Sequence, residues 1–318
     1  MARKRHGRPI DGLLVLDKPA GMTSNGALQR VKRLFSAAKA GHTGSLDPLA
    51  TGVLPLCLGE ATKFSQYVLD ADKAYLSTFV LGESTDTLDA EGEVTATADA
   101  SLVTQEQVQT AVAALTGPLE QTPPMYSAIK RNGQPLYKLA RQGLEVERKT
   151  RRVVIHDFHV QGFRPGARAE IDVAIHCTKG TYVRSLAESL GAALGLPAHV
   201  SVLRRSQAGP YDLAMALSLE QLETAAQQGL AQLDALLLPA DGPLQGLPAV
   251  TLGQAAAFYL QQGQPVLVPN GPHNGMVRAY RGHEGGEMEF LGIAEMLDDG
   301  RLAPRRLVVP KSARERAQ

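Results

Sequence analysis

The sequence has no tryptophan, only two cysteines and an aromatic content of 5%. Two cysteines without a Cys-x-x-Cys pair exclude a disulfide framework, so we expect Cys57 and Cys177 to be buried free thiols. No apolar run is long enough to cross a bilayer. The basic N-terminal stretch Met1–Arg8 lacks the apolar segment of a signal peptide, which predicts a cytoplasmic protein.

The chain also lacks a strong overall charge, although its charges are unevenly distributed. It carries 33 basic and 32 acidic residues, which gives a net charge of +1. Residues 130–152 contain eight basic and two acidic residues, whereas residues 70–106 contain one basic and nine acidic residues. This segregation is typical of a protein with one face directed at a polyanion, but solvated surface runs would produce the same pattern.

The segment Gly41–Gly52, GHTGSLDPLATG, combines three glycines with a single carboxylate. Its Asp47-Pro48 pair disfavours a helix, and the glycines predict a shaped turn before the apolar run Val53–Leu56. The segment does not fit a phosphate loop, which would need a Lys-Ser/Thr pair, or a calcium loop, which would need more carboxylates. It does not fit a catalytic triad either, because triad residues normally come from separated parts of the chain. A lone acid on a rigid loop beside a core favours a nucleophile or a general base.

The same segment, extended to GHTGSLDPLATGVL, closely resembles the catalytic motif of the TruB-type tRNA pseudouridine synthases. Other segments resemble motifs of this family and occur in the family's order. They are Gly12–Ser24, Asp72–Tyr75 followed by Leu81-Gly82, Lys179–Leu186 and Val202–Arg205. The resemblance covers nearly the whole chain and implies an enzyme that isomerises uridine 55 in the T-loop of tRNA to pseudouridine.

The resemblance also implies roles for individual residues. Asp47 would be the catalytic nucleophile or base, and Arg184 would keep it ionised through a two-point contact. Tyr75 would stack on the flipped uracil and move its C5 proton. Tyr182 and Leu203 would form the wall of the pocket.

Two more positions would contact the RNA or the loop. His42 resembles the family histidine that wedges into the RNA loop where the base leaves, and Lys18 would support the active-site loop or a phosphate. The implied isomerisation needs no redox cofactor, metal or energy source, so we expect none. The expected partner is tRNA, with no obligate protein partner. Whether Asp47 adds covalently or removes a ribose proton stays open from sequence.

The resemblance to this family implies an α+β chain in two parts. Residues 1–240 would form a catalytic domain with the pseudouridine synthase fold, a mixed and largely antiparallel sheet flanked by helices and loops. A long basic insertion near 121–152 favours RNA binding. A Gly/Pro-rich linker at 241–248 precedes a small domain at 249–310 that resembles the PUA β-barrel, and residues 311–318 form a tail.

Local patterns predict particular elements. The apolar run Leu13–Leu16 predicts a buried strand, and Ser24 the N-cap of an amphipathic helix. Strands at 152–163 and 169–178 are expected to form a hairpin. Ser218–Leu238 is expected to form one amphipathic helix with a capping box.

Alternatives remain for function and for metal binding. The basic insertion and the PUA-like domain would also suit a tRNA-folding chaperone. The catalytic subunit of an RNA-guided complex is a third possibility, although the insertion resembles the bacterial T-loop clamp and favours recognition by protein alone. A zinc site built from His156, His159, His176 and Cys177 is disfavoured, because residues three apart on a strand point to opposite faces.

Overall fold

The structure is a computed structural model that describes residues 7–131, 133–269, 271–283 and 285–310. Most of the basic N-terminal stretch and the expected tail at 311–318 lie outside these described residues. The described chain forms a large mixed sheet with helices, followed by a smaller β unit.

The strands of the larger unit are β1 (Gly12–Lys18), β2 (Ala40–His42), β3 (Thr51–Leu58), β4 (Lys73–Leu81), β5 (Glu83–Thr85), β6 (Val94–Thr97), β7 (Gly117–Gln121), β8 (Lys130–Arg131), β9 (Gln134–Pro135), β10 (Arg151–Arg164), β11 (Ala169–Cys177), β12 (Ala198–Ala208) and β13 (Tyr211–Asp212). Its main sheet has the order β1-β3-β12-β4-β11-β10-β7, with β2 on β3 and β13 on β12. The pair β3–β12 is parallel and the other pairs are antiparallel. The expected mixed, largely antiparallel sheet is therefore present.

Helices pack on this sheet or connect its strands. They are α1 (Ser24–Leu34), α2 (Ser65–Asp70), α3 (Gln105–Ala114), α4 (Leu136–Ala140), α5 (Val183–Ala193), α6 (Leu219–Gln228) and α7 (Leu230–Asp234). Short 3₁₀ turns lie at Gly59–Phe64, Leu213–Met215 and Gly242–Leu244. None of the described helices is long and apolar enough to cross a membrane.

Strand β1 is buried on both faces, as its continuous apolar run predicts. Leu14 and Leu16 join the main core with α1, α3, α5 and α6, while Leu13 and Val15 join a smaller cluster. Cys57 lies in that smaller cluster, and both cysteines are buried free thiols as expected. The predicted hairpin is also present, because β10 and β11 pair along their lengths and β11 alternates buried and half-buried residues.

Two local predictions were wrong in detail. The N-cap of α1 is Thr23, whose side chain accepts from the Gly26 N–H. Ser24 is instead buried, and its Oγ accepts from the backbone N–H of Leu46 at 2.7 Å. The expected helix 218–238 has the predicted capping box but breaks at Gly229, where φ is 115°. A positive φ suits glycine and interrupts a right-handed helix.

The C-terminal unit is a curled half-barrel that matches the expected PUA-like domain. Its elements are β14 (Ala249–Leu252), α8 (Gln254–Gln261), β15 (Val266–Leu267), β16 (Gly275–Gly282), β17 (Met288–Met296) and β18 (Arg301–Leu307). The sheet order is β14-β16-β17-β18-β15. Val277, Leu291 and Leu302 are among the residues of its own apolar core.

This unit packs against the larger unit. The ring of Phe64, which is fully buried, meets Phe290 edge-on at a centroid distance of 5.3 Å. Lys63 donates to the Leu307 carbonyl at 2.7 Å, and Arg306 donates to the Lys63 carbonyl at 2.7 Å. Leu244 of the linker is buried in the same apolar contact. The segment 241–248 is therefore an ordered connection in this structure.

Candidate active site

The loop that carries Asp47 joins β2 to β3 and is fixed at several points. The Leu46 N–H donates to Ser24 Oγ on α1, and the Pro48 carbonyl accepts from the Gly21 N–H at 2.9 Å. The Pro48 carbonyl also accepts from Lys18 Nζ at 3.3 Å. These contacts hold the Asp47 backbone at the edge of the main core.

Gly52 explains why β3 can lie directly beside β12. It has a φ of 99°, and a Cβ built there would lie 2.2 Å from the Arg205 carbonyl oxygen. Only glycine fits such a close backbone approach. The parallel pairing of Gly52 with Arg205 therefore connects the catalytic loop to the middle of the sheet.

A cavity of about 370 Å³ opens next to this loop. That volume is within the usual range for small-ligand sites, roughly 300–1,000 Å³. The wall includes every residue that the sequence assigned to catalysis and both residues assigned to the pocket wall. These are Asp47, Tyr75, Tyr182, Arg184 and Leu203.

Arg184 is the central electrostatic contact of the cavity. Its side chain is only 4% exposed, and its Nη2 lies 2.9 Å from Asp47 Oδ2. Its Nη1 lies 3.4 Å from Asp89 Oδ2 and donates to the Thr87 carbonyl at 2.7 Å. The expected two-point contact between Arg184 and Asp47 is therefore wrong, because Arg184 divides its terminal nitrogens between two carboxylates.

Asp47 remains accessible from the cavity although protein surrounds it. Its side chain is 38% exposed, yet burial raises the pKa of its carboxyl above the ordinary value. The charge of Arg184 opposes this rise, as Lys18 does more weakly, whereas the charge of Asp89 reinforces it. The guanidinium therefore favours the ionised form needed for nucleophilic or base chemistry.

The aromatic residues of the cavity are held from different elements. Tyr75 lies on β4, and burial raises the pKa of its phenol. Tyr182 caps α5, and both its backbone N–H and its carbonyl bond to the Gln121 side chain, at 2.7 and 3.0 Å. The Arg151 guanidinium lies over the Tyr182 ring, with its central carbon 6.0 Å from the ring centroid.

His42 and Lys18 do not line the cavity. Lys18 is fully buried and donates to the carbonyls of Pro19, Met22 and Pro48, so its contacts are those of loop support. His42 lies at the end of β2, and burial followed by the charge of Arg205 lowers the pKa of its ring, which favours the neutral form. Its buried Nδ1 has no hydrogen-bond partner among the described residues.

Family models match the chain along most of its length. The TruB family pseudouridylate synthase N-terminal domain matches residues 32–183. The tRNA pseudouridylate synthase B C-terminal domain matches 184–245, and the pseudouridine synthase II TruB C-terminal model matches 248–308. The tRNA pseudouridine synthase B of Saccharophagus degradans is 54% identical over 315 residues, which cover 96% of this chain and 98% of that protein. The chain belongs to the TruB family.

Other relatives agree with this assignment, and a solved structure has the same fold. The tRNA pseudouridine synthase B of Pseudomonas putida F1 is 52% identical over 96% of this chain and 98% of its own length. The Vibrio atlanticus protein of the same name is 47% identical over 97% of this chain and 98% of its own length. A Cbf5-Nop10-Gar1 complex contains a chain with a TM-score of 0.70 and 22% identity, covering 98% of this chain and 92% of that one. At that identity the likeness shows the fold alone. As a TruB-family member, the chain is an enzyme, a pseudouridine synthase.

Sequence reasoning missed two charged residues of this TruB-family site. Asp89 is 4% exposed and shares Arg184 with Asp47, but in the sequence it is one acid in an acidic run. Arg205 is 2% exposed and lines the cavity. It stands two residues after Leu203 on β12, so the period of two along a strand could have placed both on one face.

The basic insertion borders the same cavity. Ser127, Ala128 and Ile129 form part of its wall, and Arg184 donates to the Tyr126 carbonyl at 2.7 Å. A second cavity lies within the insertion and is lined by basic residues together with Pro123, Ile129, Leu136 and Glu147. Its basic residues are Lys130, Arg131, Arg148, Lys149 and Arg151.

The arginines of the C-terminal unit are largely engaged within the protein. Arg278 is paired with Asp241 at 3.6 Å, and Arg306 bonds to the catalytic unit as described above. Arg281 is paired with Glu289, Arg301 with Asp299, and Arg305 with Glu295.

The histidines considered for zinc form polar contacts on the sheet. The rings of His156 and His176 lie 5.0 Å apart, and His156 Nε2 is 3.0 Å from Asp72 Oδ2. In the part of the chain that the structure describes, no group of three or more potential ligands is arranged to hold a metal.

Proposed function

We propose that this TruB-family enzyme isomerises uridine 55 in the T-loop of tRNA to pseudouridine. The observation that carries the proposal is the cavity in which the Asp47 carboxylate, its partner Arg184 and the Tyr75 phenol meet. Relatives named tRNA pseudouridine synthase B match the chain over nearly their full length, which supports tRNA as the substrate. Such a substrate would place the activity in the cytoplasm.

The reaction requires a uridine to leave its stack and enter the cavity. An enzyme that acts on a base must extrude it, and the extruded base is then held by stacking and by polar contacts. Tyr75 and Tyr182 supply aromatic surface, and Leu203 supplies an apolar wall that is 7% exposed. The neutral His42 ring, beside the catalytic loop, would fill the space that the base leaves.

Asp47 would then act on the nucleoside. Arg184 holds the carboxylate ionised and directs it into the cavity, so that it can attack the nucleoside or remove a ribose proton. The glycosidic C–N bond breaks, the uracil turns within the cavity, and its C5 bonds to C1′. Tyr75 would accept the C5 proton as the ring regains its double bond. None of these steps consumes a redox equivalent or a nucleotide.

The exposed cations of the insertion would bind the tRNA backbone. Lys130, Arg131 and Lys149 are exposed on the segment that closes one side of the cavity. Phosphate contacts position a nucleic acid without reading its sequence. The C-terminal unit would extend this surface, with no obligate protein partner.

The test is an assay with unmodified tRNA transcripts. The purified protein is incubated with a transcript carrying uridine 55 and with a matched transcript carrying cytidine there, and pseudouridine is mapped by carbodiimide treatment and primer extension. The proposal expects one stop, at position 55, only in the first transcript, and the same result after EDTA treatment once tRNA folding is restored with magnesium. Modification elsewhere, or none, would contradict it.

A further inference from the structure

Arg205 is a buried cation for which the structure provides no carboxylate partner. Its guanidinium donates from Nε to the Val53 carbonyl at 2.7 Å and from Nη2 to the Gly44 carbonyl at 3.2 Å. It also lies directly opposite Tyr75 in the register of the adjacent strands β12 and β4, where paired side chains share one face, and both residues line the cavity. Among the described residues, no acidic side chain lies within ion-pair distance of it, whereas its neighbour Arg204 is paired with Asp17.

A buried charge is costly unless another charge or a set of hydrogen bonds compensates it. Arg184, the other buried arginine of the cavity, faces two carboxylates. Arg205 donates to two neutral carbonyls and lies opposite one phenol, so among the described residues that bond or pair with it Tyr75 is the one that can become an anion. Burial raises the pKa of that phenol, and the charge of Arg205 is the first influence that opposes the rise.

We infer that Arg205 is a positioning residue for Tyr75, which it orients and stabilises as the phenolate that takes the C5 proton. The inference rests on the proposed function, because it assigns a partner to the base of that reaction. Arg205 lies opposite Tyr75 on the neighbouring strand and donates to the backbone of the loop that carries Asp47, and it acts on the uracil through them.

The proton transfer balances without a further reactant. After C5 has bonded to C1′, it still carries its hydrogen, and N1 is double-bonded to C6. The C5–H bond breaks and its proton passes to the Tyr75 phenolate oxygen, while its electron pair forms the C5–C6 double bond and the N1–C6 pair moves to N1. The phenol then returns the proton to N1. The proton has moved from C5 to N1, and the phenolate is regenerated.

Two substitutions separate the charge of Arg205 from its hydrogen bonds. Arg205→Gln keeps N–H donors for the backbone carbonyls and removes the charge, whereas Arg205→Lys keeps a charge and loses the planar set of donors. Arg204→Gln is the matched control, since it removes a neighbouring arginine on the same strand that is paired with Asp17 outside the cavity. Circular dichroism and tRNA binding show whether each variant is folded.

The readout is the effect of deuterium at C5 of the target uridine on the single-turnover rate. We expect Arg205→Gln to bind tRNA normally, to slow turnover by roughly 10- to 100-fold, and to show a larger C5 isotope effect than the unsubstituted enzyme. Arg205→Lys should be slowed less, and Arg204→Gln should show neither change. In a Tyr75→Phe background, Arg205→Gln should reduce the single-turnover rate little further, because the phenol on which Arg205 acts is already absent.

Different results would overturn either the role of Arg205 or the proposed function. If Arg205→Gln slows turnover equally in the unsubstituted enzyme and in the Tyr75→Phe background, without an isotope effect, Arg205 is a purely structural residue and the inference is overturned. If Arg205→Gln does not fold, the same comparison made with Arg205→Lys decides between these results. If Tyr75→Phe is fully active, Tyr75 is not the base of the reaction, and the inference is overturned while the proposed function stands. If the unsubstituted enzyme forms no pseudouridine, the proposed function itself fails, whatever Arg205 does.

Discussion

At the scale of single residues, one buried guanidinium forms ion pairs with two carboxylates. Arg184 contacts both Asp47 and Asp89, and its remaining N–H groups hold the Thr87 and Tyr126 carbonyls. It therefore connects the catalytic loop, the acidic segment and the basic insertion. A change of its geometry should disturb all three, while a change of its charge should act mainly on the ionisation of Asp47.

This distinction predicts two different effects at Arg184. Burial raises the pKa of Asp47 and Arg184 lowers it, so activity should fall on acidification at a pH above the ordinary carboxyl pKa. Arg184→Gln removes the charge, which raises the pKa further and should move the acid limb of the rate profile to higher pH. Arg184→Lys keeps the charge, so the acid limb of its rate profile should stay near that of the unsubstituted enzyme. Its rate should nevertheless fall by about 100-fold, because lysine would not hold the Asp47 carboxylate in the same position.

Single-turnover rates measured from about pH 4 to about pH 8 report both effects, because this range begins near the ordinary pKa of a carboxyl group and extends above it. Circular dichroism at each pH separates titration from unfolding. An acid limb that is the same in Arg184→Gln and in the unsubstituted enzyme would show that Arg184 does not control the ionisation of Asp47.

At the scale of elements, the loop that carries Asp47 is positioned by the close approach of β3 and β12 at Gly52. Gly52→Ala would place a methyl group against the Arg205 backbone and force alanine to a φ of 99°. We expect a loss of at least about 1–3 kcal/mol in the free energy of unfolding, together with lower activity. Chemical denaturation measures the first and single-turnover kinetics the second.

Gly41→Ala is the matched control, since a Cβ there would meet only Thr62 Cγ2 at 3.9 Å. Its effect on stability should stay within about 0.5 kcal/mol. Equal effects of the two substitutions would contradict the role given to the Gly52 contact.

The sequence predicted those elements whose signals are local. The hairpin β10–β11, the capping box of α6 and the buried strand β1 follow from alternation, capping residues and an apolar run. The end of α6 at Gly229 was missed because an isolated glycine within an apolar helical pattern is often tolerated. The cap of α1 was misplaced by one residue, because Thr23 and Ser24 are equally suitable caps and only the tertiary contact with Leu46 distinguishes them.

The site residues that lie in recognisable local motifs were also the ones predicted from the sequence. Asp47, Tyr75, Tyr182, Arg184 and Leu203 belong to segments that resemble family motifs, and they do meet in one cavity. Asp89 and Arg205 were not assigned, since their importance comes from pairings between distant elements. The period of two along β12 places Arg205 on the same face as Leu203, but no local pattern reports that a particular acid or arginine will be buried.

At the scale of the whole molecule, the C-terminal unit both extends the RNA-binding surface in our proposal and covers part of the catalytic unit. Removal of residues 248–318 would expose Phe64 and Leu244, which are now buried. We therefore expect the truncated protein to have a lower Tm and a higher KM for tRNA, with kcat at saturation changed less. If the unit contacts two or three phosphates, the salt dependence of binding should flatten by roughly 0.7–0.9 in slope for each.

A second variant separates packing from RNA binding. Phe290→Ala loosens the contact with Phe64 but leaves the unit in place, so Tm should fall by several degrees while KM and the salt slope stay the same. Phe258→Ala, at an exposed aromatic residue of α8, is the control and should change none of these values. An unchanged KM and salt slope in the truncated protein would mean that the unit serves packing alone.

The central claim is that the Asp47 carboxylate carries out the isomerisation in this cavity. The most direct test compares Asp47→Asn with the unsubstituted enzyme on the same uridine-55 transcript, measuring pseudouridine by carbodiimide mapping and tRNA affinity by filter binding. Because asparagine keeps the shape of aspartate and loses its charge, the account predicts no detectable pseudouridine and nearly unchanged affinity. Turnover by Asp47→Asn above a trace level, with the fold intact, would contradict it.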